Sequence, residues 1–205
     1  MTEEDEMILY HGTSSANKAS ILKEGIKPRG DSDGNFPGKE SAKGFIYFSD
    51  CYPIIYASRA ANFQAPSADL LILRVKLRRK DLYPDEDHLI SEYQNTHNVS
   101  ISAIPEDDKN PQNYKEKYND SFRFCGKVSY NGTLLPSNII ETKIIKNLEY
   151  SDMVNRLGCN RGDLGDIYKK DKKIWDYILQ EIFNSNLLEF DAESLKGMLD
   201  LEKCF

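Results

Sequence analysis

At 205 residues the chain is long enough for one well-packed domain with an appendage, or for two small ones. Forty per cent apolar and 11% aromatic residues are too many for a disordered chain, and no apolar run approaches the ~18 residues of a membrane-spanning helix. The net charge of −6 argues against a surface built to coat phosphates, although "RVKLRRKDL" at 74–82 is locally basic and leaves nucleic acid open as a partner.

Taken in chain order, the acidic leader "MTEEDEMILY" lacks the basic start of a secretory signal peptide. "MILYHGT" reads as a strand. Ser14 or Ser15 then caps a short helix through Glu24, closed by Gly25. A Gly-, Asp- and Pro-rich loop follows, and "GFIYFS" is a strand of aromatic and β-branched residues. Asp50 and Pro53 open a helix reaching about Asn62, with proline in the first turn where its missing N–H is harmless. "ADLLILRVKL" has the continuous apolar character of a central strand. Residues 84–120 are polar and read as an irregular excursion. "SFRFCGKV" and "NIIETKIIKNL" read as two further strands.

From about residue 150 the pattern turns helical. "SDMVNRLG", "IWDYILQEIF" and "DAESLKGMLDLEKCF" are three helix candidates, the second placing Ile174, Ile178, Leu179 and Ile182 on one stripe beside Trp175 and Phe183. The expectation is an α+β protein with a β-rich body over 1–150 and a helical C-terminal module over 151–205. The module's apolar stripe either packs back on the sheet or docks a partner such as an inhibitor, a target or a second copy. Cys51, Cys125, Cys159 and Cys204 show no C-x-x-C spacing and fit buried thiols in a reducing, cytoplasmic setting.

His11 sits where a strand runs into a Gly-Thr-Ser turn. Alone, such a histidine is most often a hydrogen-bonded structural residue. Gly12 beside it leaves room for a ligand to approach the backbone, and Thr13 and Ser14 add hydroxyls. The longer arrangement is more specific. "LYHGTSSANKASILKEGIKPRG", then "KGFIYFSD", then "LLILRVKL", resembles the ADP-ribosyltransferase superfamily of the poly(ADP-ribose) polymerase and diphtheria-toxin type, over residues 8 to about 83 and more weakly to about 148.

That resemblance implies a split β-sheet body that binds NAD as a substrate and transfers ADP-ribose to a macromolecular acceptor, protein or nucleic acid. Breaking the bond to a cationic nicotinamide needs a site that holds the carboxamide, stacks the ring and fixes the ribose hydroxyls. By resemblance, Gly12 would pair with the carboxamide through its backbone, and His11 and Thr13 would bond the adenosine-side ribose. Tyr47 would cover the nicotinamide ring and serve the chemistry, with Ser49 in the same strand and Tyr56 as the second wall. Arg29 would meet the diphosphate.

The family's late strand begins with a catalytic glutamate. In "SFRFCGKV" Ser121 falls near that position and Arg123 follows, so no acid stands there. Glu92 and Glu116, from the preceding excursion, are the acids that could reach the site. The resemblance also implies, as one option, a place among toxins and phage-related effectors. Two other readings stay open: an NAD-dependent RNA 2′-phosphotransferase-like enzyme, and a catalytically inactive binding module of the same fold. "DEDH" at 85–88 lacks metal-ligand spacing and reads as a polar loop, "NRGDLGD" lacks an EF-hand's closing glutamate, and no metal is expected.

Overall fold

The computed structural model describes residues 5–28, 42–64, 69–90, 102–146, 164–191, 193, 194 and 197. Seven strands form one sheet in the order β4-β5-β2-β1-β3-β6-β7. They are β1 (Glu6–Ser14), β2 (Phe45–Ser49), β3 (Leu70–Arg78), β4 (Leu82–Pro84), β5 (Lys127–Asn131), β6 (Ile139–Lys146) and β7 (Glu189–Asp191). The α-helices among the described residues are α1 (Lys18–Glu24), α2 (Pro53–Gln64), α3 (Tyr118–Cys125) and α4 (Leu164–Asn184). The fold is α+β, with every strand pair antiparallel except β6 with β7.

Strand alternation divides the core. Along β3, Leu70 and Ile72 join Ile54, Ala57, Trp175, Ile178 and Ile182 on the side of α2 and α4. Leu71, Leu73, Val75 and Leu77 join Met7, Leu9, Ile21, Ile46, Phe48 and Val128 on the other. A central strand buried on both faces must read as a near-continuous apolar run, which β3 does.

The sheet is not evenly knit. β1 pairs with β3 through nine consecutive residues, from Glu6↔Arg78 to Ser14↔Leu70. It pairs with β2 only at Tyr10↔Ser49. Two half-sheets, β4-β5-β2 and β1-β3-β6-β7, therefore meet at a single residue pair.

Two glycines are demanded by packing. Gly25, at φ +87°, closes α1 as expected, and an added Cβ would lie 2.0 Å from the Leu134 carbonyl oxygen. At Gly12 a Cβ would lie 1.8 Å from the Pro53 carbonyl oxygen and 2.7 Å from the Ala57 nitrogen. The space beside Gly12 is filled by α2, so helix packing accounts for this glycine rather than room for a ligand on that side.

One expected strand is a helix in its first half. "SFRFC" belongs to α3, where Tyr118, Phe122 and Cys125 share a face, and Gly126 ends the helix in the left-handed conformation at φ 63°. The strand starts only at Lys127. The excursion over 84–120 is more ordered than its composition suggested: β4 ends it at one side, and Leu89, Ile90 and Ile104 form a small core with Tyr114 packed on it. Residues 91–101 lie outside the described residues.

The segment expected as a C-terminal module contributes to the same body. Trp175, Ile178, Leu179, Ile182, Phe183 and Phe190 are buried in the α2-side core, and β7 extends the sheet beside β6. Lys143 of β6, only 1% exposed, donates to the Ser185 and Leu187 carbonyls at 2.8 Å each and pairs with Glu141 at 2.9 Å. It thereby ties the end of α4 to the sheet. The helix expected at 151–158 and the residues Leu195, Met198 and Leu201 lie outside the described residues, while Leu187 and Leu188 are exposed. No described helix is long and apolar enough to cross a membrane.

Candidate active site

The single-pair junction of the half-sheets brings two sequence motifs together. One residue beyond Tyr10, His11 turns its Nδ1 to the Tyr47 carbonyl at 2.9 Å. A carbonyl only accepts, so Nδ1 carries the proton in this bond. The imidazole also lies 5.6 Å from the Phe48 ring. Thr13 Oγ1 accepts from Asn17 Nδ2 at 3.1 Å, and Ser14 Oγ caps the 3-10 turn Ser15–Asn17 through the Ala16 N–H at 3.3 Å.

β2 and β5 share a polar face. Tyr47 stands opposite Ser129 and Ser49 opposite Lys127, so these four side chains alternate to one side, while Ile46, Phe48 and Val128 go to the core on the other. Ser49 is fully buried, its Oγ accepting from the N–H groups of Cys51 at 3.2 Å and Tyr52 at 3.0 Å, which holds the entry to α2. A 3-10 turn, Glu86–His88, carries the acids that complete this face.

Glu86 is fully buried and bonded to Tyr47. The Tyr47 hydroxyl donates to Glu86 Oε1 at 2.7 Å, and the Ala42 N–H lies 3.0 Å from both oxygens. Glu86 Oε2 is buried with no hydrogen-bond partner among the described residues. Burial, reinforced by the neighbouring Asp85 charge, pushes the Glu86 carboxyl up to about 8. Burial and the same two acids raise the Tyr47 phenol well above its ordinary range. At neutral pH this is a neutral acid against a neutral phenol.

Next to it lies a chain of three ionisable groups. Lys127 Nζ is 2.7 Å from His88 Nε2, and His88 Nδ1 is 3.0 Å from Asp85 Oδ1. Burial alone would raise the Asp85 carboxyl, but the neighbouring His88 and Lys127 side chains prevail and hold it below its usual range. The rings of Tyr52 and Tyr56 lie 5.6 and 5.5 Å from Lys127 Nζ. Burial raises the Tyr56 phenol, with Lys127 opposing.

The structure thus brings His11, Tyr47, Ser49 and Tyr56 into one neighbourhood around the junction and α2. Gly12 and Thr13 follow His11 on β1, while Ser121, Arg123 and Glu116 lie on other elements. Ser121 sits in α3, not at a strand start; it is buried, accepts from the Asp85 N–H at 3.0 Å and donates to the Lys127 carbonyl at 2.8 Å, a staple between the turn and β5. Arg123 is exposed on α3, and Glu116 is exposed in the 3-10 segment Pro111–Lys117. Arg29 and Glu92 lie outside the described residues. The residue that opens β5 is Lys127.

Asp85, Glu86, His88 and Lys127 were missed. "DEDH" follows β4 directly, and only the pairing of β4 with β5 shows that this turn folds over the strand face. Among the described residues no group of His, Cys, Asp and Glu could hold a metal ion. The basic run along β3 is offset by neighbours: Lys76 pairs with Glu6, Arg78 pairs with Asp81 at 2.7 Å, and Arg74 lies 5.9 Å from the Phe183 ring.

Fold and site together define an α+β protein with a divided seven-stranded sheet and a cluster of ionisable side chains beside the division. No protein-family model matches the sequence. No curated protein sequence matches it. Among solved structures it is similar to EcPltA, with a TM-score of 0.38 and 13% identity over 67% of this chain and 74% of that one, a likeness too low to define fold or function.

Proposed function

We propose that this protein is a mono-ADP-ribosyltransferase that takes ADP-ribose from NAD and transfers it to a macromolecular acceptor. The observation that carries the reading is the bond from His11 Nδ1 to the Tyr47 carbonyl across the junction of the half-sheets. It joins the two motifs on which the family resemblance rests at one point of the fold. In this reading His11 and Thr13 hold the adenosine-side ribose, and the Tyr47 and Tyr56 rings flank the nicotinamide.

Glu86 takes the electrostatic part of the missing strand glutamate, acting through Tyr47. Heterolysis leaves the bonding pair on the nicotinamide nitrogen and positive charge on the ribose. A carboxyl poised near neutrality ionises more readily when a cation arrives, so the Tyr47–Glu86 pair gains negative charge when the positive charge is present.

The opposing observation is Lys127 at the head of β5, which favours a second reading, a nucleotide-binding module without transferase activity. Labelled NAD incubated with the protein and a cell lysate tests both. A labelled macromolecule that His11→Ala does not make supports the transferase. Bound NAD with neither conjugate nor free nicotinamide supports the binding module, and no NAD binding overturns both.

A further inference from the structure

We infer that Asp85, His88 and Lys127 form a proton relay that deprotonates the acceptor, an inference that rests on the transferase reading. Lys127 opens β5 opposite Ser49, and the next residue on its face, Ser129, stands opposite Tyr47. Its side chain therefore leaves the sheet on the Tyr47 side. Lys127 Nζ has only donors, so His88 Nε2 accepts from it and the imidazole proton lies on Nδ1, 3.0 Å from Asp85 Oδ1. Ser121 holds both ends, taking the Asp85 N–H and donating to the Lys127 carbonyl. Tyr52 and Tyr56 wall Nζ on the α2 side. An ion pair alone needs only the lysine and the aspartate. An imidazole set between them gives the lysine a group to which it can pass a proton.

The acceptor's nucleophilic oxygen or nitrogen bonds to ribose C1′ as the C1′–N bond to nicotinamide breaks and its electron pair leaves with the ring nitrogen. Lys127 Nζ first gives a proton to His88 Nε2 and, as the neutral amine, takes the acceptor's proton. Asp85 stabilises the imidazolium, which later loses its proton to water. NAD and the acceptor are the only reactants. Lys127 is the catalytic residue of this step, and His88 and Asp85 are positioning residues.

The test uses full-length variants, labelled NAD and a cell lysate, with NAD affinity measured separately by calorimetry. Lys127→Ala and His88→Ala are expected to transfer label roughly a hundredfold more slowly with NAD affinity unchanged. Lys127→Arg, which keeps the charge but does not give up a proton near neutral pH, is expected to be equally slow, and ethylamine to restore part of the rate of Lys127→Ala. If Lys127→Ala does not fold, Lys127→Arg against wild type makes the same comparison. Wild-type transfer by Lys127→Arg or by His88→Ala overturns the relay. A wild type that transfers no label overturns the transferase reading instead, and the relay with it.

Discussion

Tyr47 and Glu86, 39 residues apart in sequence, meet at 2.7 Å across the polar face of β2 and β5. The phenol is the donor, and its bond favours the ionised carboxylate, against burial and Asp85.

Stability should therefore fall as pH rises. The Glu86 carboxyl has an ordinary value of 4.5 and lies at about 8 in the fold, so the folded state binds the proton more tightly. The stabilisation is fully present below 4.5 and is lost as pH rises through 8, with a limiting slope of about 1.4 kcal/mol per pH unit. Glu86→Gln removes this titration. Urea unfolding at pH 5, 7 and 9 should show the variant gaining on wild type at each step, and parallel curves would refute the assignment.

Much of this was legible in the sequence. β1, β2 and β3 announced themselves by alternation or by a continuous apolar run, and Gly25 and Pro53 marked the ends of α1 and α2 where expected. The stripe of Ile178, Leu179 and Ile182 proved to be a core face. What failed was local. Phe122 and Phe124 alternate like a strand, but the i,i+4 pair Tyr118 and Phe122 and the stop at Gly126 make a helix. The acidic turn at 85–88 looked solvated because nothing in its own composition reveals that β4 will carry it onto Tyr47 and Lys127. Contacts made by non-local strand pairing have no local signature.

Gly12 offers a clean test of packing against flexibility. Its built Cβ meets backbone of α2, which cannot swing aside as a side chain can. Gly12→Ala should cost about 3 kcal/mol or more, read as a lower urea midpoint. A variant as stable as wild type would mean that α2 shifts freely on β1.

The two described cysteines should be inert in the folded protein. Burial, with the Asp50 charge behind it, raises the Cys51 thiol far out of the thiolate range, and burial pushes Cys125 up to about 11. Iodoacetamide at pH 8 should leave peptides containing Cys51 and Cys125 unmodified until denaturant is added. Rapid native labelling of either, seen by mass spectrometry, would contradict the buried placement.

The C-terminal helix should be indispensable for folding. Lys143 is buried with its ammonium on the Ser185 and Leu187 carbonyls and on Glu141, so Lys143→Ala strips three groups of their partner. A buried polar group left without its partner costs about 1–3 kcal/mol, a large part of the whole stability of many domains. Removing residues 151–205 goes further, because Ile54, Ala57, Ile72 and Ile145 then lose Trp175, Ile178, Leu179, Ile182 and Phe183 as neighbours. A fully buried side chain of this kind is worth about 1.5–3 kcal/mol. The truncated chain should be insoluble or unfolded by circular dichroism, and Lys143→Ala should melt well below wild type. A soluble, folded remainder that still unfolds cooperatively would show instead that α4 and β7 only lean on a body complete without them.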